Sequence, residues 1–214
     1  MSGTAGGETL AQRAYREIKQ AILEARFSPE DVLSERQLAE QTGVSRTPLR
    51  SALSRLEREG VIGRMANGAL VVRPVTVEHL LEIVALRRAL ESAAAARAAG
   101  FGMNGELAAS EAETRPFAEG RSTAFDTFWE VDDRFHKAVA RAARLELLPG
   151  ILAEQRVIAR RCTITRSHDR FAEQAREHLA VIGAIRAGDA DAASAAMAAH
   201  FDNVRARFLG WLGR

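Results

Sequence analysis

Two short helical patterns separated by a three-residue turn constrain the first part of this 214-residue chain more than any other feature. Ser34 with Gln37 forms a capping-box pattern, which predicts a helix start, and Thr42-Gly43-Val44 predicts a tight turn after that helix. A second helix is expected to begin at Ser45 or Thr47. Its apolar positions are Leu49, Ala52, Leu53 and Leu56. The turn is so short that the two helices must cross and share a core.

The other face of the second predicted helix carries arginine and hydroxyl side chains. Between residues 44 and 58 the chain has four arginines and one acid, Glu57. Arginine can bond guanine in a bidentate way, serine and threonine can reach phosphates or base edges, and a helix N-terminus attracts phosphate. This pattern indicates a helix-turn-helix whose second helix enters the major groove of DNA. The alternative is an ordinary amphipathic helical hairpin with a solvated basic face.

A β-hairpin is predicted directly after the second helix. Asn67-Gly68 lies between two apolar stretches, which is a strong signal for a two-residue hairpin turn. Such a hairpin would be the wing of a winged helix, with Asn67 and Gly68 at its tip near the minor groove. The wing, the turn and the arginines together favour DNA binding over the alternative. We therefore expect residues 9–75 to form a winged helix-turn-helix domain.

From Thr76 onward the sequence pattern is helical to the end of the chain. The predicted helices span roughly 77–99, 105–119, 123–143, 147–165, 168–187 and 189–212. Apolar residues recur at helical spacing, and no strand pattern appears after residue 73. Six connected helices favour an antiparallel bundle. The expected fold class is mainly α, with a second domain at residues 76–214.

Composition bounds the class of protein. The hydrophobic content of 47% argues against disorder, and no apolar run is long enough to cross a bilayer. The single cysteine, Cys162, excludes an internal disulfide and a cysteine-rich zinc site. With no signal-peptide pattern at the N-terminus, we expect a soluble cytoplasmic protein with no membrane partner. The net charge of only +2 means that any DNA-binding site must be local.

Four residues have the spacing of a metal site. Asp132 and His136 are four residues apart on one predicted helix, so they share a face. His178 and His200 lie on the last two predicted helices, and Gly188 between these helices allows them to run antiparallel. Three imidazoles and one carboxylate suit Zn²⁺ or another divalent transition metal such as nickel, manganese or iron. The spacing alone also fits solvated or hydrogen-bonded histidines.

Residues 12–74 resemble the winged helix of GntR-family transcription regulators. The stretches Leu33–Ala39 (LSERQLA) and Gly43–Gly60 (GVSRTPLRSALSRLEREG) carry the resemblance. The resemblance implies DNA contacts from Arg36, Ser45, Arg46, Thr47, Arg50 and Gly68. Asn67 joins this set because of its place at the hairpin tip. One departure is Glu30, in a connecting loop where the family usually has glycine.

Residues 76–210 resemble the FCD ligand-binding domain of the FadR-like branch of the same family. LRRALE, VDDRFHKAV and the stretch from Glu177 to Phe201 carry the resemblance, and six helices favour the VanR-like subgroup. The resemblance implies an all-helical bundle that binds a metal. The implied metal ligands are Asp132, His136, His178 and His200. His79 and His168 match no ligand position, and a departure lies at Ala143-Arg144-Leu145, where the family often has Ser-Gly-Asn.

The same resemblance implies an arginine in the effector cavity. Arg87 matches this position, where it would bind a carboxylate bidentately. The alternative is a surface ion pair between Arg87 and Glu91, which follows it by four residues. Further candidates for the effector site are Arg160, Arg161 and Arg166.

The expected function is that of a ligand-responsive transcription regulator, specifically a repressor. One winged helix covers a short half-site, so a homodimer on a double-stranded DNA operator is expected. The expected effector is a small organic acid that touches the metal. Two alternatives are a metal-dependent, hydrolase-like enzyme, since an open metal site can activate water, and an effector-independent DNA-binding protein.

Overall fold

The computed structural model of the protein describes residues 8–23, 26–27, 31–122, 125–160 and 170–212. The chain divides into two compact units, Met1–Val75 and Thr76–Arg214. Several features singled out in the sequence lie outside the described residues. These are Glu30, Arg161, Cys162, Arg166, His168 and the side chain of Arg160.

The first unit contains three helices and a small sheet. The helices are α1 (Leu10–Leu23), α2 (Glu35–Thr42) and α3 (Arg46–Arg58), and the strands are β1 (Val32–Leu33), β2 (Ile62–Arg64) and β3 (Leu70–Val72). The strands pair antiparallel in the order β1-β3-β2. The predicted winged helix-turn-helix is confirmed. Strand β1 was not predicted, because two residues are too few to show an alternating pattern.

Local chemistry sets the bounds of the first unit's helices. The Ser34 hydroxyl accepts a hydrogen bond from the Gln37 amide at 3.4 Å, as the capping pattern predicts. Helix α2 ends at Gly43, whose φ of 63° is left-handed and favours glycine. The helices and the sheet share one core, which includes Ile18, Leu38, Leu49, Leu56, Ile62 and Leu70. The exposed face of α3 is therefore fixed by what its apolar face packs against.

The wing turn differs from the predicted two-residue loop. The Met65 amide donates to the Ala69 carbonyl at 2.8 Å and the Gly68 amide donates to the Met65 carbonyl at 2.9 Å, so Ala66, Asn67 and Gly68 form the loop. Only Gly68 in this loop has a positive φ, of 84°. A two-residue type I′ turn needs positive φ at both central residues. Here the Asn67 side chain instead accepts from the Ala69 amide at 3.0 Å, which stabilises the longer loop.

The second unit is all-helical over its described residues. Its helices are α4 (Val77–Ala99), α5 (Gly105–Ala118), α6 (Phe125–Ala142), α7 (Leu148–Arg160), α8 (Phe171–Ala187) and α9 (Ala190–Leu212). Thr76 and Asn104 cap α4 and α5 through their side chains. Helices α8 and α9 pack together and are joined only through Gly188 and Asp189, so they run antiparallel. None of the described helices is both long and apolar enough to cross a membrane.

Two residues after the end of α6, the chain departs from the family pattern at Arg144. Arg144 has φ 56° and is the only residue other than glycine in the described segments with a positive φ. Its guanidinium group lies 4.1 Å from the centre of the Phe101 ring, and Arg97 donates to the Ala143 carbonyl at 2.7 Å. These contacts offset the cost of the left-handed conformation. A left-handed position, which glycine usually occupies, is therefore filled here by an arginine.

Candidate metal centre and nucleic-acid interface

All seven residues that are expected to contact DNA are exposed to solvent in the structure. They are Arg36, Ser45, Arg46, Thr47, Arg50, Asn67 and Gly68. Arg46 is the first residue of α3 and Arg50 follows four residues later, so both lie on one face at the helix N-terminus. Arg36 pairs with Glu40 at 2.8 Å and Arg50 with Glu35 at 3.3 Å. Both pairs are exposed and therefore weak, so the guanidinium groups can exchange them for DNA.

A polar cluster that sequence reasoning missed holds the far end of α3 against α1. The Glu59 carboxylate accepts hydrogen bonds from the Tyr15 hydroxyl at 2.6 Å, from Lys19 at 2.7 Å and from Arg55 at 3.0 Å. The Arg55 guanidinium also lies 3.9 Å from the centre of the Tyr15 ring. Burial would raise the pKa of Glu59, but the bonds from Lys19 and Tyr15 hold it below its usual range. This cluster fixes the orientation of α3.

Three imidazoles converge in the interior of the second unit. His136 on α6, His178 on α8 and His200 on α9 offer nitrogen atoms that lie within 4.8 Å of one another, and all three residues are buried. The Asp132 Oδ1 atom lies 3.4 Å from His178 Nε2 and 3.7 Å from His136 Nε2. The structure therefore brings together the four residues expected to bind a metal, from three helices.

Two of the imidazoles are oriented by carboxylates. His136 Nδ1 contacts Glu91 Oε2, and His200 Nδ1 lies 2.8 Å from Glu177 Oε2. A carboxylate on Nδ1 fixes the ring and leaves Nε2 for a metal. Sequence reasoning considered Glu91 only as a partner of Arg87 and missed Glu177. No sequence spacing could have found these bonds, because the His136 partner lies 45 residues away on another helix.

His178 has no hydrogen-bond partner among the described residues. Both its ring nitrogens are buried and make no hydrogen bond, although Nε2 lies 3.4 Å from Asp132 Oδ1, and its ring stacks on Phe135 with 4.0 Å between centroids. Unpaired buried nitrogens are costly, so a native site of this kind needs an explanation. A metal ion would satisfy one of them, and three imidazoles with one carboxylate are a donor set that divalent transition metals accept. The residues present therefore fit a metal.

The Asp132 carboxylate is held on its outer side by Arg156 and Gln174. Arg156 Nη1 donates to Asp132 Oδ2, and Gln174 Nε2 donates to Asp132 Oδ1 at 2.9 Å. Arg156 also donates to the Trp129 carbonyl at 2.9 Å. Burial would raise the pKa of Asp132, but the charges of Arg156 and His136 hold it well below its usual range. The carboxylate is therefore anionic, which is its metal-binding form. Sequence reasoning missed Arg156 and Gln174.

The lowered pKa values of His178 and His200 also fit metal binding. Burial lowers the pKa of His178 well below its usual value, and the neighbouring His200 lowers it further. Burial also lowers the pKa of His200, although its bond to Glu177 opposes this. Both rings are thus neutral near pH 7, as metal binding requires. His79, in contrast, is exposed on α4.

A cavity of about 70 Å³ adjoins the cluster and contains Arg87 in its wall. Arg87 Nε donates to Glu91 Oε1 at 2.7 Å, so the pair with Glu91 forms, but it is buried rather than on the surface. Burial would raise the pKa of Glu91, but the charges of Arg87 and His136 lower it to about 2. The polar residues of the wall are Arg87, Asp132, His136, Arg156, Gln174, His200 and Arg207, and most of the others are apolar.

Comparisons with known proteins identify both units. Residues 10–72 match the family described as "Bacterial regulatory proteins, gntR family", and residues 82–203 match the FCD domain. The HTH-type transcriptional repressor RspR of Escherichia coli K12 is 26% identical over 199 residues, covering 90% of this chain and 86% of RspR. The putative L-lactate dehydrogenase operon regulatory protein of the same strain is 32% identical, covering 80% of this chain and 75% of that protein.

A solved structure has the same fold. Escherichia coli McbR/YncC superposes with a TM-score of 0.75 at 20% identity, covering 95% of this chain and 99% of that one. The expected VanR-like subgroup stays a prediction, since residues 161–169 lie outside the described part of the chain. The relatives of this chain named above are transcription regulators rather than enzymes. The chain belongs to the GntR family of bacterial regulatory proteins, as a DNA-binding transcription regulator with a winged helix-turn-helix followed by an FCD domain.

Proposed function

We propose that this regulator is a cytoplasmic repressor that binds a double-stranded DNA operator as a homodimer and is controlled by a small carboxylate at a metal site in its FCD domain. The observation that carries this proposal is the buried cluster of three imidazoles and Asp132 beside a cavity with arginines in its wall. Its relative RspR is named a repressor. A homodimer is proposed because one winged helix reads only a short half-site.

Asp132, His136, His178 and His200 would hold the metal. Zinc is the first choice because it accepts imidazole and carboxylate ligands, with nickel, manganese or iron as alternatives. When bound, the ion would supply a fixed positive charge that attracts a carboxylate. Metal analysis together with native mass spectrometry of the purified protein would identify the ion and any acid that co-purifies.

We expect Arg46→Ala and Arg50→Ala each to weaken specific operator binding by about 1–3 kcal/mol, because both lie at the N-terminus of α3, where a recognition helix reads bases. Binding to operator and to unrelated DNA should be measured at one fixed salt concentration. Arg58→Ala is the matched control, since it removes the same charge from the other end of α3. An unchanged operator affinity in both variants would exclude these residues from base reading.

Operator binding should respond to a small acid only through the metal cluster. An effector changes DNA affinity only if it binds the DNA-competent and incompetent states unequally, and typical couplings are about 1–3 kcal/mol. In a screen of mono-, di- and hydroxycarboxylates, we expect one acid to raise the melting temperature and weaken operator binding. Linkage requires the operator to weaken binding of that acid by the same factor.

The variants Asp132→Ala and His136→Ala test whether the acid acts through the metal cluster. Neither residue lies in the winged helix, so both variants should keep most of their DNA affinity and lose the response to the acid. A full response in both would show that the acid does not act through the cluster. Turnover of the acid would instead support the enzyme alternative, and tight operator binding that no acid changes would support an effector-independent DNA binder.

A further inference from the structure

Three arginine–carboxylate pairs surround the imidazole cluster, and each arginine lines the cavity. Arg156 pairs with Asp132, and Arg87 pairs with Glu91. The third pair was not predicted from the sequence. In it, Arg207 Nη1 and Nη2 donate to Glu177 at 2.8 and 2.9 Å. Glu91 and Glu177 in turn orient His136 and His200. Two of the arginines are therefore linked through a carboxylate to an imidazole.

Each of these arginines has one buried donor that makes no hydrogen bond, but Arg156 Nε lies 2.9 Å from the Asp133 carboxylate, so two donors remain unused. Arg87 Nη2 and Arg207 Nε are buried and have no partner among the described residues. Their side chains are only 9% and 8% exposed, so bulk water does not satisfy these groups. A buried, unpaired N–H group on a charged side chain costs more than a neutral one. Because the two arginines lie on different helices, α4 and α9, and line one cavity, a single bound group could satisfy both.

The charges around the cavity also favour the binding of a ligand with two negative charges. Each of the three arginines is paired with one carboxylate: Arg87 with Glu91, Arg156 with Asp132 and Arg207 with Glu177. A divalent metal would add two positive charges to a wall that is otherwise mostly apolar. Uncompensated buried charge is costly, and a ligand with one carboxylate would cancel only half of it. A ligand with two carboxylates would cancel all of it.

We infer that the effector carries two acidic groups, one directed to the metal cluster and the other held by Arg87 and Arg207 through their free N–H groups. This inference rests on the proposed function and narrows it to a short dicarboxylate. The small volume of the cavity, about 70 Å³, favours a short-chain acid.

Matched acids test the inference in the full-length protein of known metal content. Each of oxalate, malonate and succinate should be compared by calorimetry with its monoamide, namely oxamate, malonamate and succinamate, which has nearly the same shape and one charge less. We expect at least one dicarboxylate to bind at least tenfold more tightly than its monoamide. Ratios near one for every pair would overturn the inference but leave a monocarboxylate effector, and so the proposed function, intact. If none of the six acids binds, the inference is overturned, and the wider screen of carboxylates under the proposed function decides whether any small acid is the effector.

Paired substitutions test the role of the arginines. Arg207→Met with Glu177→Gln removes the donor but keeps the net charge, and the glutamine can still accept from His200. We expect this variant to keep its metal, as mass spectrometry would show, and to lose at least fivefold of the preference for the dicarboxylate. Glu177→Gln alone is its control. Arg87→Met with Glu91→Gln should act likewise, while Arg88→Met, at an exposed position on the same helix, should keep the full preference. A preference unchanged in both paired variants would overturn the assignment.

Discussion

Replacing Arg156 with methionine should destabilise the metal-free protein by about 3–5 kcal/mol, because the substitution leaves the Asp132 carboxylate buried without its ionic partner. Asp132 is 3% exposed and Arg156 4% exposed, so water cannot replace the lost contact. Methionine fills much of the same space, which limits the cost of a cavity. We expect the melting temperature of the chelator-treated protein to fall by roughly 10 °C.

A double substitution and an exposed pair serve as controls for Arg156. Adding Asp132→Asn to Arg156→Met removes the stranded charge, so this double variant should recover about half of the lost stability or more. Arg134 on α6 pairs with Glu113 at 2.7 Å, but both side chains are more than 40% exposed, so Arg134→Met should cost less than about 1 kcal/mol. Similar losses in Arg156→Met and Arg134→Met would show that the buried pair does not matter for stability.

His178→Leu should abolish stabilisation by zinc while changing the metal-free protein little. Leucine has nearly the volume of histidine and removes two unpaired buried nitrogens, so the chelated variant should stay within about 1.5 kcal/mol of the parent chain. Zinc at a thousand times its dissociation constant should stabilise the parent chain by about 4 kcal/mol. The variant should show no such gain.

Thermal unfolding in chelator and in zinc, together with metal content by mass spectrometry, measures this difference. His79→Leu is the matched control, because His79 is an exposed histidine of the same unit and should leave both the metal content and the zinc gain unchanged. A zinc gain retained in His178→Leu would exclude His178 as a ligand. Equal losses in both variants would show that zinc binds at the protein surface.

Short-range chemistry was enough to predict the DNA-binding unit. The Ser34 cap, the Gly43 turn and the apolar face of α3 act over a few residues, and each recurs in the structure as expected. The wing was predicted with one residue too few in its loop. The choice between a two-residue and a three-residue loop depends on whether Asn67 adopts positive φ or bonds the Ala69 amide, and that balance is too fine for a dipeptide signal.

In the FCD domain, the sequence by itself determined which residues could share a helix face and where helices end. Asp132 and His136 share a face because they are one turn apart, and Gly188 lets α8 and α9 fold back. The tertiary structure alone decided that Glu91 and Glu177 orient imidazoles, that Arg156 pairs with Asp132 and that Arg207 lines the cavity. These contacts join residues 23 to 45 positions apart on different helices. Helical periodicity fixes which face of a helix is buried, but the packing of helices against one another determines which side chains meet there.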